Sequence, residues 1–565
     1  MRIHQSFIIN CHFQNAENKL LCNKIYIMED YMEKIILVLT ALLLALSMSV
    51  TAFADDITAV IDLNTTYQTI DGFGASYTWY SDWLYTNANA EQGYDWIFND
   101  AQFNILRFRD LYNVGDTTAD EGEYLTALNG YPAYKRMYDE AVERGITPIV
   151  LVTSWGQYDR NLEWVEFTEL SQKGYSYYTL AKDENGEYMY DELAQHCVEA
   201  IKLFFDAGIP VHYFAISNET ELQERHIDEQ GRARAEAGFF IGPEETEDYA
   251  AYWKAHIAVY EAFKEAFGEW APEILGAECM GGYEDLIHSY IDPIIENCPE
   301  SLSIIGHHLY GTDLSKNNFT KLGNLSADYK MWQTEWYYND YFDHAKVMID
   351  EFIYENLNAY LYWNGVWIAD TGNCLIEIGG AGENDYIQRI GNHYIMTHFS
   401  KYVKRGYQRV DVQFTGNARV VAFKSPDSSK LVVIALNEME SGKDVDLTLD
   451  LGGKTILGSS VVQSFEGENR FRHEYLVEMG EYSDGFLLPA GSLATIVIDL
   501  EADPNYVAPV VEEAVNPFLK QPKAASSLAI NPLWIAVAAG AAVVILSVVV
   551  IVILASKKKK AQPAE

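Results

Sequence analysis

Between Ile70 and about Ser400, short apolar runs alternate with longer stretches of helical period. The runs are Ile70–Ser76, Ile105–Asp110, Thr147–Trp155, Val211–Asn218, Glu273–Met280, Ser303–Tyr310, Met331–Trp336 and Ala359–Trp367. Asp191–Phe205, Glu245–Phe267 and Tyr283–Ile295 are the clearest helices between them. Continuous apolar strands are what a parallel sheet buried on both faces requires. Eight strand–helix units predict a closed (β/α)8, or TIM, barrel over residues 70–400. An open doubly wound sheet is the structural alternative, but no Gly-rich nucleotide loop opens any helix.

After residue 400 the pattern changes to short alternating runs broken by Gly, Asp and Ser. Val410–Phe414, Ala418–Lys424, Leu431–Leu436, Asp444–Leu451, Val461–Ser464, Gly485–Leu488 and Leu493–Leu500 predict an antiparallel β-sandwich over residues 401–500. Residues 55–69 carry one more strand, Ile57–Leu63, expected to pair into that sandwich. Residues 501–531, rich in Pro, Ala, Val and Glu, read as a stalk.

Two apolar segments set the expected location. Met32 to Ala54 has the form of a secretory signal peptide: Lys34, an apolar stretch, then Ala52-Phe53-Ala54 as a small-x-small cleavage site. Residues 1–31 read as an extension outside the fold, with translation starting at Met32 or Met28. Leu533 to Ala555 is uncharged and matches the roughly 20 helical residues that cross a bilayer. Lys557 to Lys560 follow at once and place the tail, residues 556–565, in the cytoplasm. The expectation is a body outside the cell, anchored by a C-terminal transmembrane helix.

Composition narrows the partners. A formal net charge of −42 argues against nucleic acid, whose phosphates need Lys and Arg. The 39 Tyr and 12 Trp mostly serve the core, and the surplus suits stacking on flat apolar partners such as sugar rings. Of the 6 Cys, those at 197, 279, 298 and 374 follow the leader; none has metal-ligand spacing, and a Cys279–Cys298 bridge is the one pairing considered.

Barrel enzymes carry their chemistry at the C-terminal ends of the strands. Strand four ends Ile216-Ser-Asn-Glu-Thr220 and strand seven ends Met331-Trp-Gln-Thr-Glu-Trp336, so Glu219 and Glu335 each stand where an apolar strand meets a loop. A carboxylate there is costly unless hydrogen-bonded or useful. Two acids facing each other across a barrel mouth suit cleavage of a glycosidic bond, one protonating the leaving oxygen, the other attacking the anomeric carbon or activating water.

Asn218-Glu219, Trp332-Gln-Thr-Glu-Trp336, Asp71-Gly-Phe-Gly-Ala-Ser76 and a β-domain built from both flanks of the barrel resemble glycoside hydrolase family 30 of clan A. The resemblance covers roughly Ile57 to Leu500. It implies Glu219 as general acid/base, Glu335 as nucleophile, Asn218 on the sugar 2-hydroxyl, and Arg107 as the arginine that keeps the nucleophile ionised. Arg109 shares its strand face and is the competing candidate. His308-Leu309-Tyr310 matches the strand-six motif, with Tyr310 donating to Glu335. His307 and His308 should point opposite ways. Trp155, Trp336 and Trp363 are the candidate sugar-stacking residues, with Trp79, Tyr80 and Trp367 also at strand ends. The glucuronoxylan-cutting members carry a basic residue after strand eight; here none occurs before Arg389, which points instead to a β-1,6-galactan, β-1,6-glucan or plain xylan backbone. No cofactor, metal or obligate protein partner is expected. A glucosylceramidase-like activity and a non-catalytic carbohydrate-binding adhesin are the alternatives.

Overall fold

The computed structural model describes residues 55–112, 127–155, 161–168, 177–221, 225–227, 233–235, 239–368, 373–379, 385–414, 416, 418–438, 442–467, 474–483, 485–509 and 516–520. Eight strands close a parallel barrel in chain order: Gly72–Ser76, Ile105–Arg109, Ile149–Thr153, Tyr213–Ala215, Glu273–Cys279, Leu302–His308, Lys330–Trp336 and Ala359–Tyr362. They are called strands one to eight below. Strand eight pairs with strand one, Ala359 opposite Gly72, which closes the cylinder.

Alternation explains why both faces of each strand are apolar. Ile105, Leu151, Leu275, Ile304, Trp332 and Leu361 fill the barrel interior. Their neighbours Leu106, Val150, Ile274, Ile305 and Met331 face the helices in the larger core. Strands one and two approach so closely at Gly74 that a Cβ there would meet the Ile105 carbonyl oxygen at 1.9 Å, so only glycine fits.

The helices sit outside. Tyr190–Asp206 and Glu284–Asn297 match the sequence reading within one or two residues. The helix expected from Glu245 begins only at Tyr252. Thr246 Oγ1 accepts from the Asp248 and Tyr249 amides, and Gly242 bridges to Ala251, so a turn displaces the first helical residues.

The flanking domain is one nine-stranded sheet rather than two stacked sheets. In spatial order its strands are Glu474–Gly480, Gly458–Phe465, Ser492–Asp499, Lys430–Asn437, Arg419–Lys424, Gln408–Gln413, Asp55–Thr69, Val445–Asp450 and Phe486–Leu488. Pairing is antiparallel except between Asp55–Thr69 and Val445–Asp450, which run parallel. The sheet rolls until its Phe486–Leu488 edge touches Lys430–Asn437, enclosing a core of Ile57, Ile61, Val420, Val433, Leu447 and Ile496. Alternate residues Val421, Phe423, Val432 and Ile434 face the barrel and belong to its core. The strand Glu474–Gly480 was not anticipated; it is a half-exposed edge strand with Glu474 and Glu478, so its apolar pattern is weak.

Part of the expected stalk is held against the barrel. Phe518 packs on Phe205 and Phe267 at 6.2 and 5.5 Å between ring centroids, and the Lys520 amide donates to the Phe205 carbonyl. Cys197, Cys279, Cys298 and Cys374 are free thiols, so Cys279 and Cys298 are not bridged. Among the described residues no helix is long and apolar enough to cross a membrane; the runs at 32–54 and 533–555 lie outside them.

Candidate active site

Arg107 is the hub of the barrel mouth. Fully buried on strand two, it faces inward in step with Ile105. Its Nη1 donates to Glu335 Oε2 at 2.7 Å and to Ser76 Oγ at 2.9 Å. Its Nη2 donates to Asn218 Oδ1 at 2.8 Å and to Glu278 Oε2 at 3.1 Å, and its Nε to Thr153 Oγ1 at 3.1 Å. Strands one, two, three, four, five and seven thus converge on one guanidinium, whose planar fork fixes several acceptors at once. Arg109, two residues on, lies over the Trp79 ring at 4.2 Å, leaving Arg107 as the partner of Glu335.

Glu335 and Glu219 meet here. Glu335 Oε1 accepts from the Tyr310 hydroxyl at 3.3 Å, and His308 Nδ1 lies 3.1 Å from Glu219 Oε1 in a hydrogen bond. One ligand atom each of Glu219, His308 and Glu335 falls within 4.8 Å of the others. Both residues are buried but not sealed off, 7% of Glu219 and 5% of Glu335 being exposed. Glu219 holds a left-handed backbone, φ 48°, and its amide donates to the Glu278 carbonyl. That bond and the seating of Ser217 and Thr220 on the Phe239 and Ile241 carbonyls hold it in place. Asn218-Glu219-Thr220 also has the form of an N-glycosylation sequon, but Asn218 is 1% exposed and bound to Arg107, which leaves it unusable.

At Glu335, burial and the Arg107 cation act in opposite directions. Burial raises the pKa of Glu335 above the ordinary carboxylate value, Glu219 adds to the rise, and the opposing pull of the Arg107 cation does not cancel it. Arg107 therefore limits the cost of ionising Glu335 without erasing it. Burial lowers His308 to about 4, so it is a neutral imidazole at neutral pH. His307 points the other way, to Glu355, as the alternation requires.

The aromatic candidates divide. Trp155 stacks on Trp363 at 5.7 Å and 25°, with the Arg107 guanidinium 4.5 Å from its ring. Trp363 leads on to Trp367 at 6.1 Å and thence to Tyr80 at 4.7 Å; these three are half-buried and form a ledge beside the acids. Trp336 is not part of it. The register slips between Gln333 and Trp336, so Glu335 turns into the barrel and Trp336 turns out, packing on Tyr338 and His344 in the helix layer.

The sequence reading missed two acids. Glu278, fully buried, stands one residue before the end of strand five, and the rule that found Glu219 and Glu335 applies to it equally. Glu221 follows the acid/base candidate by two residues and accepts from the Met280 amide at 2.5 Å, tying the strand-four loop to strand five. Burial, reinforced by Glu219, raises its pKa to about 7.

No protein-family model matches the chain. It is 27% identical over 222 residues to the glucuronoxylanase XynC of Bacillus subtilis (strain 168), covering 37% of this chain and 49% of that protein. The chain thus spans about half the length of that curated relative. Among solved structures it resembles the catalytic domain of the family 30 xylanase C from Talaromyces cellulolyticus, with a TM-score of 0.58, 19% identity, and 78% of this chain and 99% of that one covered. It also resembles an endo-β1,6-glucanase, with a TM-score of 0.56, 16% identity, and coverage of 79% and 94%.

Proposed function

From a chain that has the (β/α)8 fold and flanking β-sheet of glycoside hydrolase family 30, we propose a retaining glycosidase that cuts a β-linked polysaccharide by double displacement. The carrying observation is the approach of Glu219 and Glu335 oxygens to within 4.8 Å at the barrel mouth. Carboxyls about 5–5.5 Å apart suit nucleophilic attack, whereas an inverting pair stands about 6.5–9.5 Å apart to admit a water.

In this reading Glu335 attacks the anomeric carbon while Glu219 protonates the departing oxygen. The glycosyl–Glu335 ester then forms, and Glu219 deprotonates the water that hydrolyses it. Arg107 and Tyr310 hold Glu335 and take up charge as it leaves the ester. Asn218, beside Glu219, offers its amide N–H to a sugar hydroxyl while its oxygen stays on Arg107. The Trp363–Trp367–Tyr80 ledge, backed by the buried Trp155, stacks on flat sugar faces.

The relatives' names point to glucuronoxylan, xylan and β-1,6-glucan, and of these we propose a neutral backbone, xylan or β-1,6-glucan, or else β-1,6-galactan. No Lys or Arg lies between Ala359 and Gln388 to grip a glucuronate, and Arg389 is engaged by Asp100 at 2.7 Å and by Trp96. The signal-like and apolar runs at 32–54 and 533–555 support an enzyme held outside the cell on a membrane anchor; protease shaving of intact cells that leaves the barrel untouched would refute that location.

Glu335→Gln and Glu219→Gln are each expected to lower kcat on unactivated polysaccharide by at least about 10³-fold. A rate within tenfold of wild type removes that residue from the mechanism. Proton NMR of the first product is expected to show retained configuration; the opposite anomer would exclude double displacement. Hydrolysis profiles on xylan, β-1,6-glucan and β-1,6-galactan identify the backbone, and binding without cleavage of all three would favour an adhesin.

A further inference from the structure

A second polar cluster lies on the opposite side of strand six from the cleft. His307 faces outward there, and its register partner on strand seven, Gln333, lies beside it. Gln333 in turn pairs with Tyr360 of strand eight. Over them runs the helix Tyr341–Asp350, continued by a π-helical turn, Glu351–Glu355. Glu351 and Glu355, one turn apart, point down onto the strands. His307, Gln333, Glu351 and Glu355 are all 0% exposed. One ligand atom each of His307, Glu351 and Glu355 lies within 4.8 Å of the others.

This cluster is chemically incomplete. Both oxygens of Glu351, Oε2 of Glu355, and both Nε2 and Oε1 of Gln333 are buried without a hydrogen-bond partner. Glu355 has His307 Nε2 at 2.6 Å, and neither acid has a Lys or Arg partner among the described residues. Each unsatisfied buried group lowers stability, and unpaired buried carboxylates lower it most. Apolar side chains of the same volume would pack here at no such cost. His307 is also pre-set: its Nδ1 faces the His308 carbonyl at 3.1 Å, which directs Nε2 at the acids. Metal-binding histidines are commonly oriented in this way.

We propose that His307 Nε2, the carboxylates of Glu351 and Glu355, and Gln333 Oε1 bind one structural divalent transition-metal ion such as Zn²⁺ or Mn²⁺. Two carboxylates balance its charge, and one nitrogen with three oxygens is a donor set for such ions rather than for Ca²⁺. Bonds of about 2.0–2.2 Å draw the four side chains together and give the orphaned oxygens of Glu351, Glu355 and Gln333 a partner, leaving only Gln333 Nε2 without one. The ion clamps strand six and the helix after strand seven, directly behind His308, and takes no part in cleavage.

The test is elemental analysis of the full chain, purified without chelator or metal-affinity tag, combined with thermal unfolding. The expected result is close to one equivalent of zinc or manganese per chain. Refolding in EDTA should lower the unfolding midpoint, and adding Zn²⁺ or Mn²⁺ back should restore it. Gln333→Leu distinguishes this from a metal-free core: it should lower metal content and midpoint together, whereas removing a merely unsatisfied amide leaves the midpoint unchanged or raises it. Glu351→Gln should abolish binding. The proposal is overturned by a metal-free, fully folded wild type whose midpoint ignores both ions, with Glu351→Gln equally stable; the acids would then share a proton.

Discussion

At the residue scale, the site turns on one guanidinium serving two acids. Arg107 Nη1 holds Glu335 and Nη2 holds Glu278, so the cation is divided between a proposed nucleophile and a residue with no bond-making role. The sign of a perturbation follows. Glu335 must be ionised to attack, and burial raises its pKa, so the acid limb of kcat/KM is expected above the ordinary carboxylate value. Glu278→Gln keeps the shape, removes the competing anion, and leaves more of the Arg107 field on Glu335. The acid limb should therefore move to lower pH, as a pH–rate profile would show. An unmoved limb would mean that Glu278 only positions Arg107.

At the element scale, the strand-four loop is carried on strand five. The Glu219 amide donates to the Glu278 carbonyl, and Glu221 accepts the Met280 amide. Glu221 has a folded pKa of about 7, raised from an ordinary carboxyl value chiefly by burial. Its contribution to stability is thus fully present below the unfolded pKa of about 4.3 and is lost as pH rises through about 7. Gln at this position keeps the acceptor and carries no charge. Glu221→Gln is therefore expected to stabilise the fold on the order of 2 kcal/mol at pH 8 and to leave it unchanged near pH 4.5. Unfolding midpoints at the two pH values check this; equal shifts at both would show that charge is not the cause.

At the scale of the whole molecule, barrel and sheet share one core. His398, on the helix Gly391–Ser400, hydrogen-bonds through Nδ1 to Thr495 Oγ1 at 2.8 Å and through Nε2 to Ser464 Oγ at 2.7 Å, all fully buried. The strand Asp55–Thr69 leads directly into strand one, and its neighbour Gln408–Gln413 returns from the last barrel helix. A single urea transition is expected for both units, seen alike by near- and far-UV signals. Thr495→Val should cost about 1–3 kcal/mol within that one transition, because it strands His398; splitting into two transitions would refute the shared core. The barrel was legible in the sequence because burial on both faces writes each strand as a run of Val, Ile and Leu, and because a strand-end acid stands out against it. By itself the sequence therefore determined the eight units, the flanking β-domain, and the placing of Glu219, Glu335, Arg107 and His308 at strand ends. Tertiary structure alone decided that Arg107 rather than Arg109 reaches Glu335, that Glu278 shares it, and that Trp336 leaves the cleft. Those outcomes depend on register and on a one-residue slip near Thr334. In a strand a single slip reverses which face a side chain occupies, and no composition or period records it.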